Sequence, residues 1–353
     1  MHFSGSKMAI GFALLAALLY GISTPVSKML LETTSPELLA GLLYLGAGFG
    51  MFGVSLVTRL KKGKTTEKPL AKNDTPYVIA MILLDIAAPI LLMLGLSLTT
   101  ASNASLLNNF EIVATSLIAL FVFHEKITRR LWVAITLIVS ASILLTIEDA
   151  SSFSFSIGSL MVLLACFCWG FENNCTRMLS SKDPMQIVVV KGFGAGFGAL
   201  VIAWFVQGME TDLQSVITAL VLGFFAYGLS IYFYVLAQRY LGAAKTSAFY
   251  AVAPFIGAII SFAVFRTALT PLLALAAGIM MVGAYFAATG GHTHLHYHNA
   301  GTHEHPHRHD DGHHMHMHDP PVTGEHCHVH THERLEHSHP HDADMHHEYE
   351  EKE

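Results

Sequence analysis

Between residues 8 and 289 the chain passes through ten apolar runs, each close to the length that spans a bilayer and nearly free of charge. A hydrocarbon core about 30 Å thick is crossed by roughly 20 residues of helix, and within it each backbone amide must be satisfied inside its own segment. The runs predict helices near 8–30, 36–60, 76–98, 102–123, 130–147, 157–179, 184–207, 215–238, 242–265 and 270–289. The expected class is an all-α integral membrane protein of ten transmembrane helices. The first run is long for a signal-peptide core and has a counterpart later in the chain, so it is read as a span. Composition agrees: 13% of residues are charged, against about 25% in soluble domains.

The charges are unevenly placed. Residues 291–353 hold 13 acidic residues and three basic ones, while residues 1–290 carry a small positive excess. No basic groove pattern points to nucleic acid. If the N-terminus is cytoplasmic, 14 Lys and Arg fall on the cytoplasmic side, including Lys7, Arg59, Lys64, Lys126, Arg177 and Lys182, and only Lys28 and Arg266 fall outside. This bias predicts cytoplasmic N- and C-termini, in a plasma (inner) membrane.

Shifted by about 145 residues, the body resembles itself. Tyr20-Gly21 aligns with Trp169-Gly170 and Lys28 with Arg177 at an offset of 149; Thr99–Ser102 aligns with Leu241–Ala244 and Phe123 with Phe265 at 142. The domains read as 1–148 and 149–290, each of five helices, then a tail over 291–353. An odd number of helices per half forces opposite orientations in the membrane, and inverted repeats of this kind place a substrate site near the midplane.

These pieces resemble the drug/metabolite transporter superfamily, in particular its EamA-type members. The resemblance rests on Leu18-Leu19-Tyr20-Gly21 and Cys168-Trp169-Gly170, on the small-residue stretches Thr99–Ser102 and Leu241–Ala244, and on Leu120–Thr128 with its Glu125. It covers about residues 8–289. It implies a secondary transporter of small solutes, with export the commoner direction. The chain departs from the family pattern at Ile112, where the matching position of the second half is Pro254, and at Arg266-Thr267, where a glutamate is expected.

Charges inside a span are costly and mark function. Asp85, Glu111, Glu172 and Lys191 lie inside predicted helices. Asn108, Glu111 and Thr115 share one helical face, lining a cavity or forming a buried hydrogen-bond network. Trp169, Glu172 and Asn173 share another, where an aromatic beside a carboxylate suits an amine or other cation; a pair between Glu172 and Lys191 is the structural alternative. Pro89 cannot donate to the carbonyl of Asp85, and Pro254 cannot donate to that of Tyr250, so kinks are expected at both. Tyr227 and Tyr250 are further candidates for the path. Gly194 and Gly198 form a small-xxx-small pair for close helix packing.

The tail alternates histidine with other residues among Asp, Glu, Gly and Pro, a composition expected to be disordered. Its candidate metal ligands are His292, His294, His296, His298, His303, His305, His307, His309, His313, His314, His316, His318, His326, Cys327, His328, His330, His332, His337, His339 and His341. Neutral imidazole suits Zn, Ni, Co or Cu. No cofactor is expected to be required.

Three functions are left in contention: export of a small organic metabolite such as an amino acid or amine, transport of a divalent transition metal collected by the tail, and metal sensing without transport. The sequence holds no nucleotide loop, His-Glu-x-x-His pattern or Gly-x-Ser-x-Gly elbow, so an enzyme is not expected. Protons are the expected coupling ion. The partners are a small-molecule or ion substrate and the lipid bilayer.

Overall fold

The structure, a computed structural model, describes residues 2–62, 68–122, 127–149, 154–179, 182–206, 209–266, 269–288, 292–298, 301–307, 326–332 and 335–341. Lys64 and the His124-Glu125-Lys126 stretch lie outside them, as do His309, His313, His314, His316 and His318.

The apolar runs form helices. In chain order these are α1 (His2–Gly21), α2 (Ser23–Leu30), α3 (Pro36–Lys62), α4 (Thr75–Leu98), α5 (Ala101–Leu107), α6 (Phe110–Val122), α7 (Arg129–Thr146), α8 (Ile157–Met178), α9 (Pro184–Val206) and α10 (Leu213–Gly223). A π-helical turn over Phe224–Leu229 leads into α11 (Ser230–Tyr250), followed by α12 (Ala253–Phe265) and α13 (Pro271–Ala288). Among the described residues, seven helical stretches are long and apolar enough to cross a membrane: Met8–Leu30, Pro36–Lys61, Lys72–Leu98, Ala101–Val122, Arg129–Thr146, Pro184–Val206 and Leu213–Ala237. Ala253–Phe265 and Pro271–Ala287 are shorter apolar helices. The tenth expected position is α8, 22 residues long, whose apolar run is interrupted by Glu172-Asn173-Asn174.

Three interruptions differ from the expected unbroken spans. The helix expected over 102–123 breaks at Asn108-Asn109, where the amides of Asn109, Glu111 and Ile112 bond three residues back instead of four; asparagine amides compete locally with the helical ladder. The first span is interrupted at Ile22, because Pro25 has no N–H for the Gly21 carbonyl. The helix α11 runs on through the turn expected near residues 239–241, but the rings of Tyr234 and Tyr250 are only 4.9 Å apart, so the chain reverses between them, and a further break falls at Ala251-Val252. Pro254 therefore starts α12 rather than kinking a continuous helix, the position in a helix where a missing donor costs least. Pro89 lies inside α4, which runs on to Leu98.

The helices pack in a pattern that survives exchange of the two halves. α4 packs on α8 and α1 on α11; α6 packs on α8 and α1 on α12; α3 packs on α9, α7 on α13 and α5 on α12. Replacing each element by its counterpart in the other half turns the first two pairings into each other, does the same for the next two, and leaves the last three unchanged.

Close crossing needs small residues, since lipid supplies no hydrophobic drive between helices. The seventh-run glycines serve two neighbours. A Cβ on Gly192 would lie 2.4 Å from the Gly48 nitrogen and one on Gly196 2.7 Å from Leu45, both on α3. Gly194 and Gly198 abut Ile82 and Ile86 of α4. Both pairs are small-xxx-small, one on each side of α9. The buried interior between these helices includes Leu39, Leu43, Leu92, Leu96, Leu107 and Val162, whereas Leu60, Leu83, Phe121, Trp204 and Phe205 are exposed on the outside.

A short antiparallel pair, β1 (Ile147–Asp149) with β2 (Ser154–Phe155), joins the halves. Residues 291–342 form a separate compact unit. There β3 (His292–His298) pairs antiparallel with β6 (Leu335–His341), and β4 (Gly301–His307) with β5 (His326–His332). The described tail segments are thus extended and paired where composition predicts disorder. Strict alternation has the period of a strand, and this is the local pattern that composition alone ignores.

Candidate functional site

The intramembrane charges meet between the halves. Lys191 of α9 reaches Glu172 of α8 at 2.9 Å and Asp85 of α4 at 3.2 Å. The three side chains are no more than 6% exposed. Asp85 Oδ1 accepts from the Tyr44 hydroxyl of α3 at 2.8 Å, and Glu172 accepts from the Thr176 hydroxyl one turn on. Trp169 on α8, one turn before Glu172, is buried. Asp85 Oδ2 faces the ammonium as an ion pair but has no aligned hydrogen bond. A buried charge is tolerated only when paired and hydrogen-bonded. Here one ammonium serves two carboxylates, so the fully ionised cluster keeps one negative charge.

Glu111 adds a third carboxylate. Asn173 Nδ2 donates to Glu111 Oε1 at 2.7 Å and to Thr115 Oγ1 at 3.3 Å, joining α8 to α6. Unlike the lysine cluster, Glu111, Thr115 and Asn173 keep accessible surface. Glu111 is close enough to interact electrostatically with Tyr20 of α1 and Tyr250 of α11. Tyrosines connect the two polar groups. Ring centroids are 4.9 Å apart for Tyr234–Tyr250, 5.8 Å for Tyr20–Tyr250, 5.8 Å for Tyr20–Tyr227 and 5.3 Å for Tyr44–Tyr227, and Tyr44 ends the row on Asp85. The Tyr227 hydroxyl lies 3.4 Å from Ser23 Oγ at the start of α2.

Of the residues expected from sequence, Asp85, Glu172 and Lys191 form one cluster with Trp169 beside it. Glu111, Thr115 and Asn173 form another, and Tyr227 and Tyr250 lie in the aromatic row between. Asn108 does not join them. The break at Asn108-Asn109 ends the shared helical face, and Asn108 is buried beside the Cys166 thiol, whose Sγ is 3.9 Å from its Oδ1 and 3.6 Å from the Leu107 carbonyl. Three participants were not expected: Tyr44, Ser23 and Tyr20 of the row. Tyr44 sits in a leucine-rich run, and a single tyrosine there carries no periodic signal. Among the described residues no group of three or more His, Cys, Asp and Glu is arranged to hold a metal ion.

The periphery explains one exception to the charge bias. Lys28 donates to the carbonyls of Leu96 at 2.6 Å, Thr99 at 2.9 Å and Ser97 at 3.3 Å, capping the C-terminal end of α4, where carbonyls lack partners and a cation is favoured. At the other end, Lys182 pairs with Asp74 at 3.0 Å and Asp183 N–H donates to the Lys68 carbonyl at 2.9 Å. These contacts join two loops that the charge distribution assigns to one side.

Known proteins resemble this chain in fold and in sequence. A solved crystal structure 16% identical in sequence superposes with a TM-score of 0.60, covering 79% of this chain and 95% of that one; the likeness is one of fold. An uncharacterized transporter of Methanothermobacter thermautotrophicus is 27% identical over 291 residues, 78% of this chain and 84% of that protein. The model of the EamA-like transporter family matches twice, over residues 7–147 and 156–289. Together these matches span nearly all of the apolar body, and the protein is a multi-pass membrane protein that belongs to the EamA-like transporter family.

Proposed function

We propose that the protein is a secondary-active exporter of a small organic metabolite, an amino acid, amine or related solute, coupled to protons. The observation that carries this reading is the buried polar centre supplied by both halves: Tyr44, Asp85 and Glu111 from the first, Glu172, Asn173 and Lys191 from the second. Ten spans in two inverted repeats, with both termini cytoplasmic in a plasma (inner) membrane, are the topology that goes with it. The twofold family match and the exchange pattern of helix packing support the repeats, and the Lys and Arg bias supports the orientation. Such repeats place substrate at their interface near the midplane. Relative movement of the halves would part Asp85 on α4 from Glu172 and Lys191 on α8 and α9, so the ion cluster is a natural element to remake during alternating access.

The test is flux in proteoliposomes holding full-length protein, with pooled labelled amino acids and amines and an imposed pH gradient. Flux that follows the gradient is expected, and Glu111→Gln or Glu172→Gln abolishes the coupling. Flux indifferent to the gradient rules out protons, and flux unchanged in both variants moves the site elsewhere.

A second reading is transport of a divalent transition metal with the tail as its collector. The tail histidines favour it. The centre of the body does not: among the described residues it offers no histidine ligand, and the Cys166 thiol is engaged at the α5–α6 break.

A further inference from the structure

The reading above leaves the charge class of the solute open, and the geometry narrows it. Lys191 is the basic side chain of the centre, and it is already committed to two carboxylates and buried. An anionic solute would have to separate Lys191 from both partners and strand two carboxylates. Glu111 is differently placed. Among the described residues it has no basic ion-pair partner, it keeps accessible surface, and Asn173 Nδ2 is spent on Glu111 and Thr115, which leaves the amide oxygen of Asn173 as an acceptor. Around Glu111 the titratable groups are Glu172 and Cys166 on α8, Lys191 on α9, Tyr20 on α1 and Tyr250 on α11. Tyr250 packs against both Tyr20 and Tyr234, and the three rings form an aromatic wall. A carboxylate and an amide oxygen beside aromatic rings supply what an ammonium needs: a counter-charge, acceptors for its N–H groups, and electron-rich faces for its alkyl substituents. With every acid ionised the centre holds three carboxylates against one ammonium, an excess of two negative charges that an interior site keeps only by taking up protons or cations.

We infer that the transported solute is an organic cation, an ammonium-bearing metabolite, which binds at Glu111 against the Tyr20–Tyr250–Tyr234 wall in exchange for a proton. The inference rests on the transporter reading and specifies its substrate. In the exchange the carboxyl O–H of Glu111 breaks, its proton passes to water, and the entering ammonium becomes the counter-charge. Lys191 with Asp85 and Glu172 stays paired while the solute binds and does not contact it.

The test uses full-length protein in detergent with three cations (ethylammonium, tetraethylammonium and phenethylammonium), two carboxylates (propionate and phenylpropionate) and zwitterionic phenylalanine. Calorimetry reads binding, and a weakly buffered solution reads proton release. Binding of a cation is expected, weakening as pH falls because protons compete, with protons released on binding. Glu111→Gln is expected to lose about 10- to 100-fold in affinity, the equivalent of one charge-assisted hydrogen bond. Cation binding that is unchanged in Glu111→Gln overturns the inference. So does binding of carboxylate or zwitterion without cation, or silence from all three cations. If Glu111→Gln does not purify as folded protein, the wild-type proton count decides: cation binding with no proton release and no pH dependence overturns the inference. Flux of a carboxylate or zwitterion in proteoliposomes with no cation binding removes this inference alone. Absence of flux for every solute removes the transporter reading beneath it.

Discussion

Lys191 is held by two carboxylates on two other helices, and its removal would leave both in the interior without a counter-charge. Breaking a buried ion pair from one side costs about 3–5 kcal/mol, whereas replacing the whole set by neutral groups is often close to neutral. Lys191→Met is therefore expected to lower the thermal midpoint of the purified protein sharply, and Lys191→Met combined with Asp85→Asn and Glu172→Gln to recover most of the loss. Thermal scanning of the three forms — wild type, single and triple — checks this; equal loss in the single and triple variants would show that the cluster does not act as an electrostatic unit. Individual charges were legible from sequence because an ionisable residue in an apolar run announces itself. Their partners were less so. Asn173 was found through its place beside Glu172, but Tyr44 was invisible among leucines, and Asn108 was drawn onto the Glu111 face by assuming an unbroken helix.

At the scale of elements, the positions of the apolar runs were readable to within a few residues, because length and hydropathy are set by the membrane. The breaks at Asn108-Asn109 and Ala251-Val252 were not, although both lie in the fourth segment of their half and bring Glu111 and Tyr250 to the centre. Tertiary contacts decide which local irregularity in an apolar run persists, and these were beyond reach of periodicity. Packing by small residues was readable, and it gives a paired prediction. A Cβ on Gly192 would meet the Gly48 backbone nitrogen at 2.4 Å, while one on Gly278 in α13 would meet nothing within 4 Å. Gly192→Ala must push α3 and α9 apart and is expected to cost about 1–3 kcal/mol, the usual penalty for overpacking. Gly278→Ala removes backbone freedom from a helix interior and is expected to be neutral or stabilising by up to about 1 kcal/mol. Thermal scanning of both variants in one detergent tests the contrast, and equal stability would mean that the α3–α9 crossing is looser than the geometry requires.

For the whole molecule, the question is what the histidine-rich tail adds to a transporter body with a buried polar centre. The register of the paired strands sets histidine opposite histidine repeatedly: His292 with His341, His294 with His339 and His296 with His337, then His303 with His330, His305 with His328 and His307 with His326. Residues directly opposite on an antiparallel pair are near neighbours along the backbone, and neutral imidazole suits Zn²⁺, Ni²⁺, Co²⁺ or Cu²⁺, so histidines recurring at facing register positions are candidate ligands. Acidic neighbours in the tail favour divalent cations further. Full-length protein is expected to bind several equivalents of Zn²⁺ or Ni²⁺ in equilibrium dialysis and to release them below about pH 6, as imidazoles take up protons and lose their ligating lone pairs. A chain ended after Gly290 should bind none at the tail and, if the solute is an organic cation taken at Glu111, should move that cation at the rate of the full-length protein. The decisive comparison is cell metal content under zinc, nickel, cobalt, copper or cadmium challenge. Should full-length protein alter metal content and the shortened chain lose the effect, the tail feeds a metal path and the organic-cation reading of the centre falls. Equal metal content in both, with organic flux preserved, separates the two functions: the body moves the solute, and the tail buffers or senses metal beside it.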